Sequence, residues 1–167
     1  SGKHVLITGG TRGIGLACAR LYLQEGALVS ICGRSEASCE AALRALDAGG
    51  RVDAHIADVS DPAAVLRLAD AAQARKGPID ILVNSAGGAA RRPFAELDAA
   101  AWRAAMDAKF HTYVNVIDVV VKRMAARQQG AIVNVIGMGG KFPSTIHLAG
   151  GSANAALMLA TAGLANA

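Results

Sequence analysis

The stretch TGGTRGIG, residues 8–15, decides how this chain is read. Before it stands HVLIT (4–8), a short apolar run bounded by glycine, the pattern of a strand buried on both faces. After it Ile14, Ala17, Cys18 and Leu21 recur at helical spacing until Gly26 closes the segment. The glycines therefore occupy a strand-to-helix turn. Glycine lets backbone turn sharply and approach a ligand closely, and a helix N-terminus offers unpaired amides with the positive end of its dipole. Together these features predict a cradle for a diphosphate.

Working outward, the same alternation repeats. LVSICG (28–33) is a second strand, and Ser35 then caps a helix whose apolar face carries Cys39, Leu43 and Leu46. RVDAHI (51–56) is a third strand, followed by a helix with Asp61 as N-cap, Pro62 at its first position and Gly77 beyond its end. IDILVN (79–84) and AIVNVI (131–136) supply two more strands. Between them Phe110, Tyr113, Val114, Ile117, Val120, Val121 and Met124 draw a wide apolar stripe that Gly130 stops, and a last helix begins near Gly150. Strands alternating with helices require crossover connections. The expected architecture is an α/β, doubly wound parallel sheet with helices on both faces, in three layers.

Composition sets outer limits. The chain has 167 residues, 53% of them hydrophobic but only 4% aromatic, enough for one domain packed from aliphatic side chains. The expectation is a single domain over 1–167 without an internal linker or repeat. Charges interrupt every long apolar run, and the opening residues lack the layout of a signal peptide, so a soluble, cytosolic protein with no membrane role is expected. A net charge of +4 is scattered apart from the pair Arg91-Arg92, so it predicts an anionic cofactor rather than nucleic acid. Cys18, Cys32 and Cys39 lack metal or redox spacing and read as small core residues, and no metal site is expected from His4, His55 or His111.

With these motifs assembled, the sequence resembles the short-chain dehydrogenase/reductase family. The family's TGxxxGxG fingerprint is matched by Thr8, Gly9, Gly13 and Gly15. ADVSD (57–61) resembles its adenine-contacting segment, which implies Asp58 and Val59, and NSAG (84–87) resembles its NNAG element. The resemblance extends over essentially the whole chain and implies a Rossmann fold. It assigns cofactor contacts to Gly9, Thr11, Arg12, Gly13, Ile14, Gly15, Arg34, Ser35, Asp58, Val59, Asn84, Ala86 and Gly87. Members usually continue through further strands and a substrate lid, which implies that 1–167 lacks these parts. The resemblance also implies a dimer or tetramer formed through the long helix and the last helix.

Charge selects among pyridine nucleotides. A free ribose 2′-hydroxyl is met by an acidic residue after the second strand, whereas a 2′-phosphate requires positive charge there. Gly33-Arg34-Ser35 occupies that point and Arg12 lies in the glycine turn, so NADP(H) is expected.

The catalytic positions depart from the resemblance. Setting NAAL (154–157) on the family's KAAL puts Asn154 at the lysine of YxxxK and Gly150 at its tyrosine. The usual interval back puts Gly137 at the serine, and WRAAMDAK (102–109) puts Lys109 at the asparagine. Tyr22 and Tyr113, the only tyrosines, are followed four residues on by Gly26 and Ile117, and both read as packing residues. Two ionisable groups remain as candidate catalytic residues. The imidazole of His147 is a side chain of the type suited to proton transfer, and Lys109 would act as acid or electrostatic stabiliser if turned toward the cofactor. Ser144, Thr145 and Ser152 offer only weak hydroxyl signals. The expected function is an NADP(H)-dependent oxidoreductase with an atypical site, acting on a small carbonyl or alcohol. The alternatives are an NADP-binding sensor or scaffold without chemistry, and non-redox use of the bound cofactor.

Overall fold

The computed structural model describes residues 2–166. In chain order the elements are β1 (His4–Thr8), α1 (Gly13–Gln24), β2 (Leu28–Gly33), α2 (Glu36–Leu46), β3 (Val52–Ile56), α3 (Pro62–Lys76) and β4 (Ile81–Asn84). There follow α4 (Ala99–Met106), a π-helical turn at Asp107–His111, α5 (Thr112–Ala126), β5 (Ala131–Asn134) and α6 (Leu148–Leu164). All five strands lie in one sheet, ordered β3-β2-β1-β4-β5, and every pairing is parallel. The order reverses at β1, between β2 and β4. That is the switch point where a doubly wound sheet opens a crevice beyond its strand carboxyl ends.

β1 shows why this sequence makes three layers. Its five residues are all buried, with Val5 and Ile7 facing a cluster that includes Ala19, Leu23, Val29, Ile31 and Ala42. Leu6 joins the opposite cluster with Val65, Leu68, Leu82, Tyr113, Val116 and Leu157. A strand sandwiched between two cores has no polar face to spare. Fully burying each such aliphatic side chain contributes about 1.5–3 kcal/mol.

The caps form as the spacing predicts. The Ser35 side chain accepts a hydrogen bond from the Ser38 amide, Asp61 accepts from the Ala63 amide, and Pro62 opens α3. Two helix faces are corrected. In α1 the sheet-facing residues are Gly15, Ala19 and Leu23, whereas Ile14 and Leu21 are 61% and 62% exposed. Small residues win that face because the helix must sit close against β1 at the glycine turn. In α5 the buried set is Thr112, Tyr113, Val116, Ile117, Val120 and Met124, so Val116 belongs to the stripe and Val114 does not. The shift arises upstream, where the π turn adds a residue per turn and rotates the following helix. β5 ends at Asn134 rather than at residue 136. The Val135 carbonyl accepts instead from Tyr113 Oη and Lys109 Nζ.

Candidate active site

A cleft of about 840 Å³ opens at the switch point. Its floor is the turn after β1. A Cβ on Gly9 would lie 2.9 Å from Ala86 Cα, and one on Gly15 would overlap the Gly9 carbonyl, so both positions demand glycine to let α1 meet the strands. Gly13 faces open space with φ of +54°. Arg12 sits at the N-cap of α1 in extended conformation and its side chain does not cap the helix. The first-turn amides of α1 are therefore open to an anion, the condition a phosphate-binding turn requires.

Arg12, Arg34, Asp58, Val59 and Ser60 line the same cleft. Asp58 accepts hydrogen bonds from the amide and hydroxyl of Ser60 at 2.9 and 2.7 Å. These bonds, with help from the Arg34 charge, hold its carboxyl below the usual range. Arg34 and Ser35 follow β2 directly, with no carboxylate before Glu36 in the first turn of α2. The exposed Arg12 and Arg34 guanidinia suit a dianionic phosphate at the ribose end, so the residues present fit NADP(H).

The opposite wall is built by the loop after β4 and by the π turn: Ser85, Ala86, Gly87, Gly88, Ala104, Asp107, Ala108 and Thr112 line it. Gly87 has φ of +102°, and a Cβ there would lie 2.8 Å from Thr112 Oγ1 and overlap the Ala108 carbonyl. The loop is hung from β1, because Thr8 Oγ1 accepts from the amides of Ser85 and Ala86.

Gly88 is the last residue of this loop to line the cleft, and the next residue, Ala89, packs against the start of α6 at Gly150. His147 stands at the N-cap of α6, where its side chain does not cap. A Cβ on Gly150 would fall 2.6 Å from His147 Nε2, against Cε1 of the same ring, and 2.9 Å from Ala89 Cβ. The imidazole thus fills the space that any side chain at position 150 would require. His147 Nδ1 is buried with no hydrogen-bond partner among the described residues. Such an orphan is uncommon in a folded interior and marks a place that a ligand or water completes. Close by, the Gly137 amide donates to Asn154 Oδ1 at 3.2 Å.

Lys109 lies in the π turn and is 8% exposed. Its ammonium donates to Tyr113 Oη at 2.9 Å and to the Val135 carbonyl at 3.3 Å. Burial pushes its pKa down, and no carboxylate forms an ion pair with it among the described residues.

Ten of the candidate cofactor residues come together in one cleft: Gly9, Thr11, Arg12, Gly13, Ile14, Arg34, Asp58, Val59, Ala86 and Gly87. Gly15, Ser35 and Asn84 stand behind it. Ser35 is occupied as a helix cap, and Asn84 joins β4 to β5 by donating to Asn134 Oδ1 at 2.9 Å. Neither catalytic candidate is among the lining residues: Lys109 points at Tyr113 and Val135, and His147 stands outside the cleft against Gly150 and Gly139. Sequence reasoning missed the wall at Ala104, Asp107, Ala108 and Thr112, because a continuous apolar stripe masks the π turn that rotates these residues toward the cleft. Cys32 also lines the cleft, yet burial pushes its thiol up to about 12, which makes it inert.

Comparison with known proteins agrees with this geometry. The profile described as short chain dehydrogenase matches residues 3–167. The chain is 37% identical over 166 residues to cis-4-hydroxycyclohexanecarboxylate dehydrogenase of Sinomonas cyclohexanicum, covering 98% of this chain and 64% of that protein. It is 35% identical over 136 residues to gluconate 5-dehydrogenase of Gluconobacter oxydans, covering 81% and 53%. Among solved structures it superposes with a TM-score of 0.92 and 32% identity on an actinorhodin polyketide ketoreductase variant with NADPH, covering 97% and 63%. An NADPH-bound short chain oxidoreductase from Pseudomonas aeruginosa PAO1, described as containing an atypical catalytic center, superposes at 0.88 with 32% identity, covering 93% and 62%. The chain thus spans between about half and two thirds of these relatives. A parallel sheet reversing at β1, a glycine turn under its crevice and a profile match from residue 3 to 167 together place the chain in the short chain dehydrogenase family.

Proposed function

We propose that this protein is an NADP(H)-dependent oxidoreductase acting on a small carbonyl or alcohol, with His147 in the role of proton donor and acceptor. The observation that carries the reading is the imidazole filling the space above Gly150 against Ala89, which follows the cleft-lining Gly88, while Arg12 and Arg34 line the cleft itself. The glycine turn and the open amides of α1 would hold the diphosphate, and Arg12 and Arg34 the 2′-phosphate. Bound nicotinamide supplies or accepts a hydride. Charge then develops on the substrate oxygen, and a positioned acid is worth about 10²- to 10⁴-fold at that step.

His147 suits the task chemically: an imidazole both donates and accepts protons, and its Nδ1 has no partner among the described residues. Lys109 contributes a fixed positive charge from the π turn, braced by Tyr113 and Val135 rather than presented to the substrate. The protein would work as a dimer or tetramer through α5 and α6, whose Leu159 is 77% exposed. Light scattering reads that state.

Calorimetry with NADPH and NADH, followed by turnover on a panel of ketones, tests the reading. NADPH is expected to bind more tightly than NADH, and His147→Ala to lower kcat by about 10² or more while leaving NADPH affinity intact. Tight NADPH binding without turnover of any ketone would replace this reading by that of an NADP-dependent sensor or scaffold. Absence of binding to either nucleotide would remove both.

A further inference from the structure

We infer that the substrate carries an anionic group, and that Arg91, Arg92 and Lys141 form its subsite beside His147. This rests on the reading of the cleft given above.

The loops after β4 and β5 are tied together at one point. The Arg92 amide donates to the Ile146 carbonyl at 3.0 Å, which places the root of the Arg92 side chain next to the residue preceding His147. Lys141 lies on the other loop, two residues after Gly139, where a Cβ would lie 3.2 Å from His147 Cδ2. The two loops that meet beside His147 thus carry three cationic residues between them.

These cations have no internal employment. All three residues are exposed, and none of the three side chains forms an ion pair among the described residues. By contrast, exposed Arg44 pairs with Glu40 at 3.5 Å and half-buried Arg123 with Asp70 at 2.6 Å. The sequence has no Asp or Glu from residue 86 to 95, and none from residue 135 to its last residue. Asp107, on the cleft wall, is occupied by His111 at 2.8 Å. Glu96 and Asp98 stand further along the first loop, so the positive charge is concentrated on Arg91-Arg92 and Lys141; such a local positive field raises the concentration of anions and orients them, and arginine forks match carboxylate or phosphate oxygens.

The same loops carry exposed apolar residues: Phe94 at 74%, Met138 at 65%, Phe142 at 63% and Ile146 at 48%. The substrate class that fits both features is an apolar ketone bearing a carboxylate or phosphate group remote from its carbonyl.

The test compares acetophenone, 4-acetylbenzoate and 4-acetylphenyl phosphate with NADPH at saturation. The inference expects KM for at least one anionic ketone about 10-fold or more below that of acetophenone, the scale of one charge-assisted hydrogen bond. High salt should erode that ratio, and it should approach unity in the double variant R91S/R92S. The two anionic arms separate carboxylate from phosphate preference. Equal KM values for neutral and anionic ketones, or a preference that survives in the double variant, would overturn the subsite. If no ketone turns over, the oxidoreductase reading fails but the subsite is still read by titrating 4-acetylbenzoate and 4-acetylphenyl phosphate into NADP⁺-saturated protein. Salt-sensitive binding of either, weakened in R91S/R92S, then supports it, and absence of binding rejects it.

Discussion

Lys109 Nζ lies 2.9 Å from Tyr113 Oη, with its charge 4.4 Å from the centroid of the same ring. The chain thus pairs a lysine and a tyrosine four residues apart on neighbouring helical turns, but in the order Lys-x-x-x-Tyr and inside the core. Tyr113 is 0% exposed and its hydroxyl donates to the Val135 carbonyl at 2.6 Å. Burial raises its pKa further above the ordinary phenol value. This phenol is a structural bolt between α5 and the end of β5.

Tyr113→Phe should consequently cost stability and spare chemistry. Removing the hydroxyl strips the Val135 carbonyl and the Lys109 ammonium of a buried partner, at about 1–3 kcal/mol. Urea unfolding reads the loss. Turnover falling as far in this variant as in His147→Ala would show that the phenol reaches the substrate after all.

Lys109→Met should raise stability at neutral pH by on the order of 1 kcal/mol, since an apolar side chain of similar length replaces a buried unpaired charge. The sign follows from linkage. Burial depresses the folded-state pKa below the ordinary 10.5, so stability is complete above that value and is lost as pH falls through the depressed one. At neutral pH the wild type bears that loss. The gain in Lys109→Met should shrink as pH rises toward 10.5. If the ammonium assists the reaction as a fixed charge, kcat falls in the more stable variant.

Gly150→Ala should behave like a partial His147 deletion. Its Cβ would occupy space held by the imidazole and would press on Ala89, so the ring must swing away. Turnover is expected to fall by about 10-fold or more, within the range attributed to a positioned acid, while NADPH affinity is unchanged. A Gly150→Ala enzyme as active as wild type, beside an impaired His147→Ala, would place the working ring elsewhere.

Arg34→Asp should exchange the cofactor preference. Loss of a charge-assisted contact of about 1.5–3 kcal/mol weakens NADPH by roughly 10- to 150-fold, and the new carboxylate suits a free ribose hydroxyl. Calorimetry with both nucleotides checks the outcome. A variant that keeps the wild-type NADPH affinity would assign the 2′-phosphate to Arg12 alone.

At the far end of the sheet His4, 1% exposed, joins β1 to its surroundings: Nδ1 lies 2.8 Å from the Gly77 carbonyl and Nε2 3.0 Å from Ser30 Oγ, which donates to Asp53 Oδ1 at 2.6 Å. Burial pushes the imidazole pKa below 6.5, opposed by the Gly77 carbonyl and by Asp53, with Lys76 lowering and Asp80 raising it. A depressed folded value means stability is complete above 6.5 and declines as pH falls through that lower value. Urea midpoints measured from neutral pH downward should drop across this window in the wild type and less in His4→Val, until the carboxylates begin to titrate. A profile unaltered by His4→Val would remove the histidine from the acid response.

The fold was legible because each device that sets it is local. A glycine turn between an all-apolar run and a helix, N-caps at Ser35 and Asp61, and glycines past helix ends act within a few residues, and alternating strands and helices leave little choice but a parallel sheet. Most of the cofactor cleft followed, since residues at strand carboxyl ends converge whenever such a sheet reverses its order. What the tertiary structure decided was which face each helix presents and which side chain fills the space at Gly150. The π turn at 107–111 rotates α5 so that Lys109 meets Tyr113, and it brings Asp107 and Thr112 to the cleft. The vacancy at Gly150 is filled by an imidazole rooted three residues earlier. Sequence alone singled out His147 as a candidate and Gly150 as a departure from the family pattern, but the space they share is set by packing between Ala89 on one loop, Gly139 on another and the start of α6, a relation that no local pattern encodes.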